Sequence, residues 1–417
     1  MWAVAGSGNM LRKYSFFTSL RYRNFLLLWI NLFILRLGLN ALDILTTWLV
    51  LETTDSALLL GMVTGLRTLP FGFGLVAGAF SDRFDKRRLL ILSNVLFAVV
   101  TFLMGFIIVG GATQFWHIHI STFILPTLNA FETPVRQVLT ADIVGKENTI
   151  NGVALNGLAM RVSSVVGAAL IGIFVYLVGI GLFFFIVGAL AIVALFTLMA
   201  LRIVPNTSKV SATTNGSMIA DMVDGLRYVT KKKSLLGLQL IALSHNFFTG
   251  VCLFTLMPVF TRTILHIDAS GLGWINTVSG LGSLAAGLGL AALGTGFKRK
   301  GLLVPIGALV EGGTWVLFSM TSSYLFSVSY IATSAVGMLT YMTAIETLLL
   351  INSDPDMRGR VMGVRALVIL PQAAWGLILG ALSQVIGVPV TIALAGASHC
   401  LFVLAITALE PSITKLE

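Results

Sequence analysis

Charge is what this chain has least of. Only 27 Lys and Arg and 17 Asp and Glu occur among 417 residues, or 11%, where a soluble domain carries roughly a quarter. That scarcity excludes an ordinary water-soluble protein. Cysteine is limited to Cys252 and Cys400, both within apolar runs, which excludes a disulfide framework and a cysteine metal cluster. No G-x-x-x-x-G-K-[ST] phosphate loop occurs, so nucleotide hydrolysis by that route is excluded. Neither HExxH nor a closely spaced aspartate set lies in an apolar run; a membrane-embedded hydrolase or prenyltransferase therefore lacks its metal or diphosphate ligands. The first 24 residues lack the apolar core and small-residue cleavage site of a secretory signal, and no removed leader is expected.

What the chain has instead is hydrophobic length. Apolar residues make up 57% of it, in runs matching the roughly 20 helical residues that cross a bilayer. Continuous runs without alternation favour helices over a barrel. The expected fold is an all-α polytopic membrane protein of twelve helices, near 25–50, 57–80, 89–110, 115–138, 152–177, 181–203, 235–258, 271–293, 302–320, 324–349, 362–386 and 389–409. Arg12, Lys13, Arg21 and Arg23 precede the first helix, and basic residues return in every second loop, Arg262 being the clear exception. The positive-inside rule then places both termini in the cytoplasm. The net charge of +10 is spread over these short gaps rather than gathered on one face, so no nucleic acid partner is expected.

The longest polar interruption, 205–234, divides the chain into a cytoplasmic N-terminal segment 1–24, a six-helix bundle 25–204, a central loop 205–234, a second bundle 235–409 and a tail 410–417. Within the central loop, MIADMVDGLRYVTKKKS has the apolar spacing of a short amphipathic helix at a membrane surface. The halves echo each other: Glu132-Thr133 with Gly145-Lys146 after helix four, and Glu346-Thr347 with Gly359-Arg360 after helix ten, at the same separation. Pseudo-symmetric halves are how many secondary transporters build a central site with two-sided access.

The loop between helices two and three reads GAFSDRFDKRR, Gly78 to Arg88. Its basic residues serve as a topological anchor, but Asp82 is not needed for that, since acidic residues contribute little to orientation. An aspartate among arginines at a helix end can pair locally and accept from a facing helix N-terminus. Here the sequence resembles the major facilitator superfamily, whose corresponding loop reads G-x-x-x-D-R-x-G-R-R/K. Gly78, Asp82, Arg83 and Arg87 match, while Asp85 replaces the usual glycine and Lys86 the first of the basic pair. RNFLLLWI, WLVLETTDSALLLGMVTGLRTLP, NAFETPVRQVLTADIV and RGRVMGV resemble the branch holding macrolide-efflux proteins and enterobactin exporters. The resemblance implies an inner gate at Gly78, Asp82, Arg83 and Arg87, facing the start of helix eleven, with Glu132, Arg136 and Glu346 as further members.

Ionisable and polar residues inside membrane helices are costly and usually face a cavity or a partner. Helix one carries Arg36, Asn40 and Asp43 at spacings that share one face. Asp43 is the leading proton-carrier candidate, with an Arg36–Asp43 tie as its structural alternative. Arg67 in helix two could bind an anionic substrate or pair with Asp43; Arg161 reads as a snorkelling residue at the start of helix five. His245 and Asn246 in helix seven are secondary cavity candidates. Glu311 in helix nine is a further coupling candidate, its preferred reading being a structural hydrogen-bonding group beside Gly312-Gly313. His117 and His119 form H-x-H without further ligands, so no metal is expected.

Gly74 and Gly78 in helix two, Gly280, Gly282, Gly287 and Gly289 in helix eight, and Gly376 and Gly380 in helix eleven permit close backbone approach. The resemblance places helices two, five, eight and eleven on the surface where the bundles rock. Helix five reads Gly167-Ala168-Ala169-Leu170-Ile171-Gly172, where drug antiporters of the superfamily often have G-P-x-x-G-G. Ala168 thus stands in place of a helix-bending proline. The expectation is a secondary exporter of an amphipathic organic compound, a drug, macrolide or siderophore-like molecule, working by alternating access with proton antiport. No cofactor other than the ion gradient is called for. A monomer in a bacterial cytoplasmic membrane, contacting substrate and lipid bilayer, completes the reading. A lipid or lysophospholipid translocator of the same fold is the alternative, and a membrane-embedded enzyme the remote one.

Overall fold

The computed structural model describes residues 17–70, 85–201, 218–293 and 299–416. Among them the chain forms twelve spans, α1 to α12, and regular structure is entirely helical. α1 is Arg23–Thr54 and α2 begins as Ala57–Thr68. α3 is Lys86–Val109 and α4 is Phe115–Val144. α5 and α6 occupy 149–178 and 180–199, divided at Gly179, whose φ of 78° breaks the helical path. α7 is Lys233–Thr263 and α8 is Ala269–Leu293. α9 is Leu303–Ser319, α10 Tyr324–Ile351, α11 Pro355–Ile386 with a break after Leu367, and α12 Val388–Leu409.

Several helices outrun their apolar segments because local chemistry sets their ends. Asp55 adopts φ 50° to terminate α1 and the Ser56 hydroxyl accepts from Leu59 N at 3.3 Å to start α2, one residue satisfying the donors that the next helix leaves free. Asp85 caps α3, its carboxylate accepting from Arg88 N at 2.7 Å. The residue that departs from the superfamily glycine is therefore a helix start. Lys86 pairs with Asp142 of α4 at 3.0 Å, and Arg87 donates to Leu198 O and Met199 O at the end of α6, at 3.2 and 2.6 Å. A cation on terminal carbonyls is the charge that a helix C-terminus favours.

The spans pack as two halves. α1 lies against α5, α6 and α4, and α3 against α6; α9 lies against α10 and α12, and α8 against α10. The halves meet where α2 crosses α11 and α5 crosses α8. Glycine decides the first crossing: a Cβ on Gly61 would stand 2.3 Å from Gly376 O, and one on Gly380 2.5 Å from Ala57 O. The α11 glycines are the expected Gly376 and Gly380, whereas the α2 glycine is Gly61; Gly74 and Gly78 lie outside the described residues. At the second crossing Gly172 makes room for the Trp274 ring, and Gly280 for Val165. Just after Ala168, where the superfamily proline is missing, α5 carries a π-helical turn, Ile171–Val175, another recognised source of helix distortion.

Polar contacts between the halves gather toward the α1–α2 and α7–α8 turns. Arg262 donates to Leu51 O and pairs with Asp55 at 3.4 Å, and Gln384 donates to Ser56 at 3.2 Å. The arginine that broke the charge pattern is thus a tie across the end opposite the chain termini. Apolar side chains such as Phe106, Leu177, Leu288, Leu325 and Leu401 stand exposed on the outside, the surface a lipid-embedded bundle presents.

The expected amphipathic helix is present as Met218–Lys231. It docks on the start of α11, where Gly225 has no room for a Cβ beside Arg360 O, at 2.8 Å. Tyr228 accepts from Asp354 N at 3.0 Å and from Lys232, and Lys232 also reaches the Asp354 carboxylate at 3.2 Å. The Tyr228 hydroxyl and the Lys232 ammonium hold the Asp354 carboxyl below the ordinary carboxylate range.

Candidate functional site

α1 presents its three polar residues to three different neighbours. Arg36 donates to Thr133 of α4 at 3.5 Å, and Asn40 to Ser163 of α5, also at 3.5 Å. Asp43 faces Arg67 of α2, with Oδ2 3.8 Å from Nη1. That separation exceeds hydrogen-bond range, so the two charges attract without locking. The tie is therefore Asp43–Arg67 and not Arg36–Asp43.

Arg67 does more than pair. Its guanidinium lies 3.9 Å from the centre of the Phe254 ring on α7, in the stacked geometry that arginine supports and lysine does not. One turn earlier, Thr64 and Thr255 share a hydrogen bond of 2.7 Å. Both contacts join the first half to the second. Arg67 keeps 11% of its side-chain surface exposed and Asp43 keeps 30%, so the carboxylate is the accessible member of the junction.

Glu132 and Arg136 form a buried ion pair within α4 at 2.9 Å. Arg136 also bonds Asn31 of α1, whose amide donates to Ala194 O of α6 at 2.8 Å. Arg36, Asn129 and Glu132 line a small cavity of about 20 Å³ beside this network, room for about one water. In the second half Glu346 is exposed and lies 3.9 Å from Arg365 of α11. Arg87, Glu132, Arg136 and Glu346 are thus each bonded within their own half, while Gly78, Asp82 and Arg83 lie outside the described residues.

The second half holds a cluster that the sequence scattered over four spans. Glu311 of α9 is 2% exposed. Its Oε1 lies 2.9 Å from His245 Nδ1 of α7, and its Oε2 accepts from the Tyr341 hydroxyl of α10 at 2.7 Å. His399 of α12, fully buried, places Nε2 3.6 Å from the same Oε2. Gly312 gives α12 its approach, since a Cβ there would meet Cys400 Sγ at 2.5 Å and Gly396 O at 2.9 Å. His245 and Glu311 are brought together; Asn246 is not, donating to Ala242 O of its own helix at 3.1 Å.

His399 and Tyr341 are the participants that sequence reasoning missed. A single ionisable residue in the otherwise apolar run of α12 was the available signal for His399. Other polar residues have local duties: His117 Nδ1 accepts from Gln114 N at 3.1 Å to cap α4, His119 bonds Phe115 O at 2.7 Å, and Arg161 is exposed. Among the described residues no group of three His, Cys, Asp or Glu has the arrangement to hold a metal ion.

Residues 14–417 match the model of a family described as transmembrane secretion effector. Macrolide efflux protein A of Streptococcus pyogenes is 23% identical over 338 residues, 79% of this chain and 82% of that protein. The staphyloferrin A transporter of Staphylococcus aureus is 31% identical over 153 residues, 35% of this chain and 36% of that protein. Among solved structures, a bacterial homolog of the human lysosomal transporter Spinster, inward-facing and unoccupied, superposes with a TM-score of 0.71 at 15% identity, covering 94% of this chain and 97% of that one. The nucleoside transporter NupG gives 0.73 at 10% identity, covering 93% and 98%. These likenesses carry the fold, and the family match covers nearly the whole sequence. The chain belongs to the transmembrane secretion effector family of major facilitator transporters, a multi-pass membrane protein of the efflux branch and not an enzyme.

Proposed function

We propose that this chain exports an amphipathic organic compound from the cytoplasm by alternating access, driven by proton antiport. The observation that carries the reading is the Asp43–Arg67–Phe254 junction, where a carboxylate with accessible surface is loosely paired to an arginine that also stacks on the opposite half. A proton arriving on Asp43 removes the charge that attracts Arg67 and leaves the arginine to its second-half contact. Deprotonation restores the pull. The two protonation states thus favour different relations of the halves, which is the differential interaction that any coupled equilibrium requires.

Basic residues supply the orientation. Arg21, Arg23, Lys86, Arg87, Arg88, Arg299, Lys300, Arg358 and Arg360 lie at the end that carries the termini, supporting a cytoplasmic placement of that end in a bacterial inner or plasma membrane. The Arg262–Asp55 and Gln384–Ser56 ties then close the outer side. In this reading Arg87, Glu132, Arg136 and Glu346 serve an inner gate together with Gly78, Asp82 and Arg83; the first four each pair within their own half.

The greasy and adaptable helices, with 14 methionines and 27 phenylalanines in the chain, suit an amphipathic guest. Macrolide- and siderophore-like compounds lead the candidates because of the relatives' own cargo names. The test is transport in proteoliposomes under an imposed pH gradient, screened with macrolides, siderophores, dyes and lysolipids. Movement of one compound that follows the gradient, and is lost in Asp43→Asn, is expected; movement indifferent to the gradient would defeat proton coupling, and movement of lysolipids alone would replace the cargo class.

A further inference from the structure

The buried cluster around Glu311 is not accounted for by the junction at Asp43. It lies wholly within the second half, joins four spans, and contains a carboxylate, two imidazoles and a phenol. A purely structural network in an apolar bundle would be expected to satisfy its members, because an unpaired buried polar atom costs about 1–3 kcal/mol. This one leaves His399 Nε2 without a hydrogen-bond partner on a fully buried side chain; ten other buried polar atoms among the described residues share that lack, and what sets His399 apart is the carboxylate oxygen 3.6 Å away.

The hydrogen-bond directions explain why that atom matters. The Ser244 hydroxyl donates to Ile241 O at 2.8 Å, and His399 Nδ1 lies 3.0 Å from the same hydroxyl oxygen. The tautomer decides which ring nitrogen carries the proton; in the Nδ1–H form, which donates to Ser244 while the hydroxyl gives its own proton to Ile241, the neutral ring presents a lone pair at Nε2. That lone pair faces Glu311 Oε2 at 3.6 Å, an oxygen that already accepts from Tyr341. Two acceptors thus face each other. One added proton, on either atom, converts the repulsion into a donor and an acceptor.

The titratable groups around this site come from every neighbouring span. His245 and Cys252 stand on α7, Tyr341 on α10, His399 and Cys400 on α12, and Arg365 of α11 acts on Tyr341. A cavity of about 20 Å³ adjoins them, lined by His245, Thr249, Ser279, Glu311, Trp315 and Ser334 among others. It offers space for about one water with polar partners, a means of delivering a proton to groups that are themselves covered.

α7 connects the cluster to the junction between halves. His245 precedes a break at Phe248, and a π-helical turn, Cys252–Leu256, follows. Phe254 and Thr255, which touch Arg67 and Thr64, lie in that turn. Gly250 permits the arrangement, since a Cβ there would come 2.9 Å from His245 Nε2. Such irregular turns within helices are frequent at functional sites.

We propose that Glu311, His245, Tyr341 and His399 form a second proton-binding site, enclosed in the C-terminal half and tied through the broken helix α7 to the Asp43–Arg67 junction. It deepens the proposed antiport, but proton binding at this cluster stands on its own geometry and does not need Asp43 to be the carrier. Protonation joins His399 to Glu311 and loosens the hold of Glu311 on His245, so α7 is released at one end of its irregular segment and held at the other.

The test reads proton binding rather than transport. The full chain in lipid nanodiscs is titrated with pH while infrared difference spectra follow carboxyl and imidazole groups. An uptake signal that persists in Asp43→Asn and disappears in Glu311→Gln and in His399→Gln is expected. Tyr341→Phe keeps both proton acceptors and is expected to move the midpoint, because a donor to the carboxylate is lost. A signal absent from Asp43→Asn, or unchanged in Glu311→Gln and His399→Gln, would overturn the proposal. Should Glu311→Gln not fold, an unaltered midpoint in both Tyr341→Phe and His399→Gln would do so equally. Failure of gradient-driven export with this signal intact would sink the antiport reading alone.

Discussion

The two charged centres of this transporter are built on opposite principles. At Asp43 and Arg67 the charges stand 3.8 Å apart, partly exposed, and one of them stacks on the other half of the molecule. At Glu311 the carboxylate is covered, held by two short hydrogen bonds, and confined to one half. A loose pair between bodies can respond to their movement at small cost. A tight cluster inside one body cannot be broken cheaply, because removing one partner strands the others without solvent. The difference separates a centre that senses the relation of the halves from one that senses its own occupancy.

The largest effect should come from emptying the covered centre. Glu311→Leu leaves His245 and the Tyr341 hydroxyl without their common acceptor, and a loss of about 3–5 kcal/mol is expected, read as a lowered unfolding temperature of the purified protein. Asp43→Asn should leave that temperature almost unchanged while reducing gradient-driven transport by about tenfold or more, measured in proteoliposomes; a tenfold loss corresponds to about 1.4 kcal/mol. Equal thermal losses in the two variants would erase the contrast. Arg67→Lys keeps the charge but not the planar stack on Phe254, so an intermediate loss of about 0.5–2 kcal/mol in the coupling step is expected. Phe254→Leu made in the same background should then add little, a double-mutant test of whether the stack is the shared term.

The smallest effect concerns the surface helix. Tyr228 and Lys232 depress the Asp354 carboxyl, so its contribution to docking is fully present above the ordinary carboxylate value near 3.9 and is lost as pH falls through the lower folded value. Electron-spin distances between labels at Leu226 and Arg358 should lengthen only in that acid window, and Tyr228→Phe should move the onset toward the ordinary value. Asp354 is exposed, and the change is expected in position rather than in global stability.

Much of the scaffold was legible because a bilayer demands it. Runs near the length of a span, and charges in alternate gaps, located all twelve spans and the break at Gly179. What ran past the apolar segments, as in α4 to Val144, depended on caps and ion pairs that hydrophobicity does not encode. Asp43 with Arg67 was one of two pairings the sequence offered for Asp43, Arg67 being the lone charge of the neighbouring span and Arg36 the rival on its own helix. The meeting of His245 with Glu311, 66 residues apart, was not foreseeable, because each residue alone reads as a satisfied packing group. Tyr341 was invisible for the same reason, and His399 showed only as the one histidine in the apolar run of α12. The π-turns of α5 and α7 were not foreseen, although Gly172 lies in the first and Gly250 just before the second; packing against the opposite half, through Trp274 and Arg67, accompanies them.

The bare backbone contacts between the halves have a mechanical consequence. Gly172, seated on Trp274, lies 23 residues from the start of α5 at Thr149 (172 − 149), about 35 Å at 1.5 Å per residue. With the Gly280–Val165 contact nearer the middle of the helix, the seat of α5 on α8 spans 165 to 172 and the stretch toward Thr149 is the longer arm. In the proposed cycle, a rotation of about 15°, of the size seen between rigid bodies elsewhere, would carry Thr149 through about 9 Å while the glycine slides by a fraction of that. Leverage of this kind lets a change of a few tenths of an ångström beside Trp274 decide whether an entire vestibule is open.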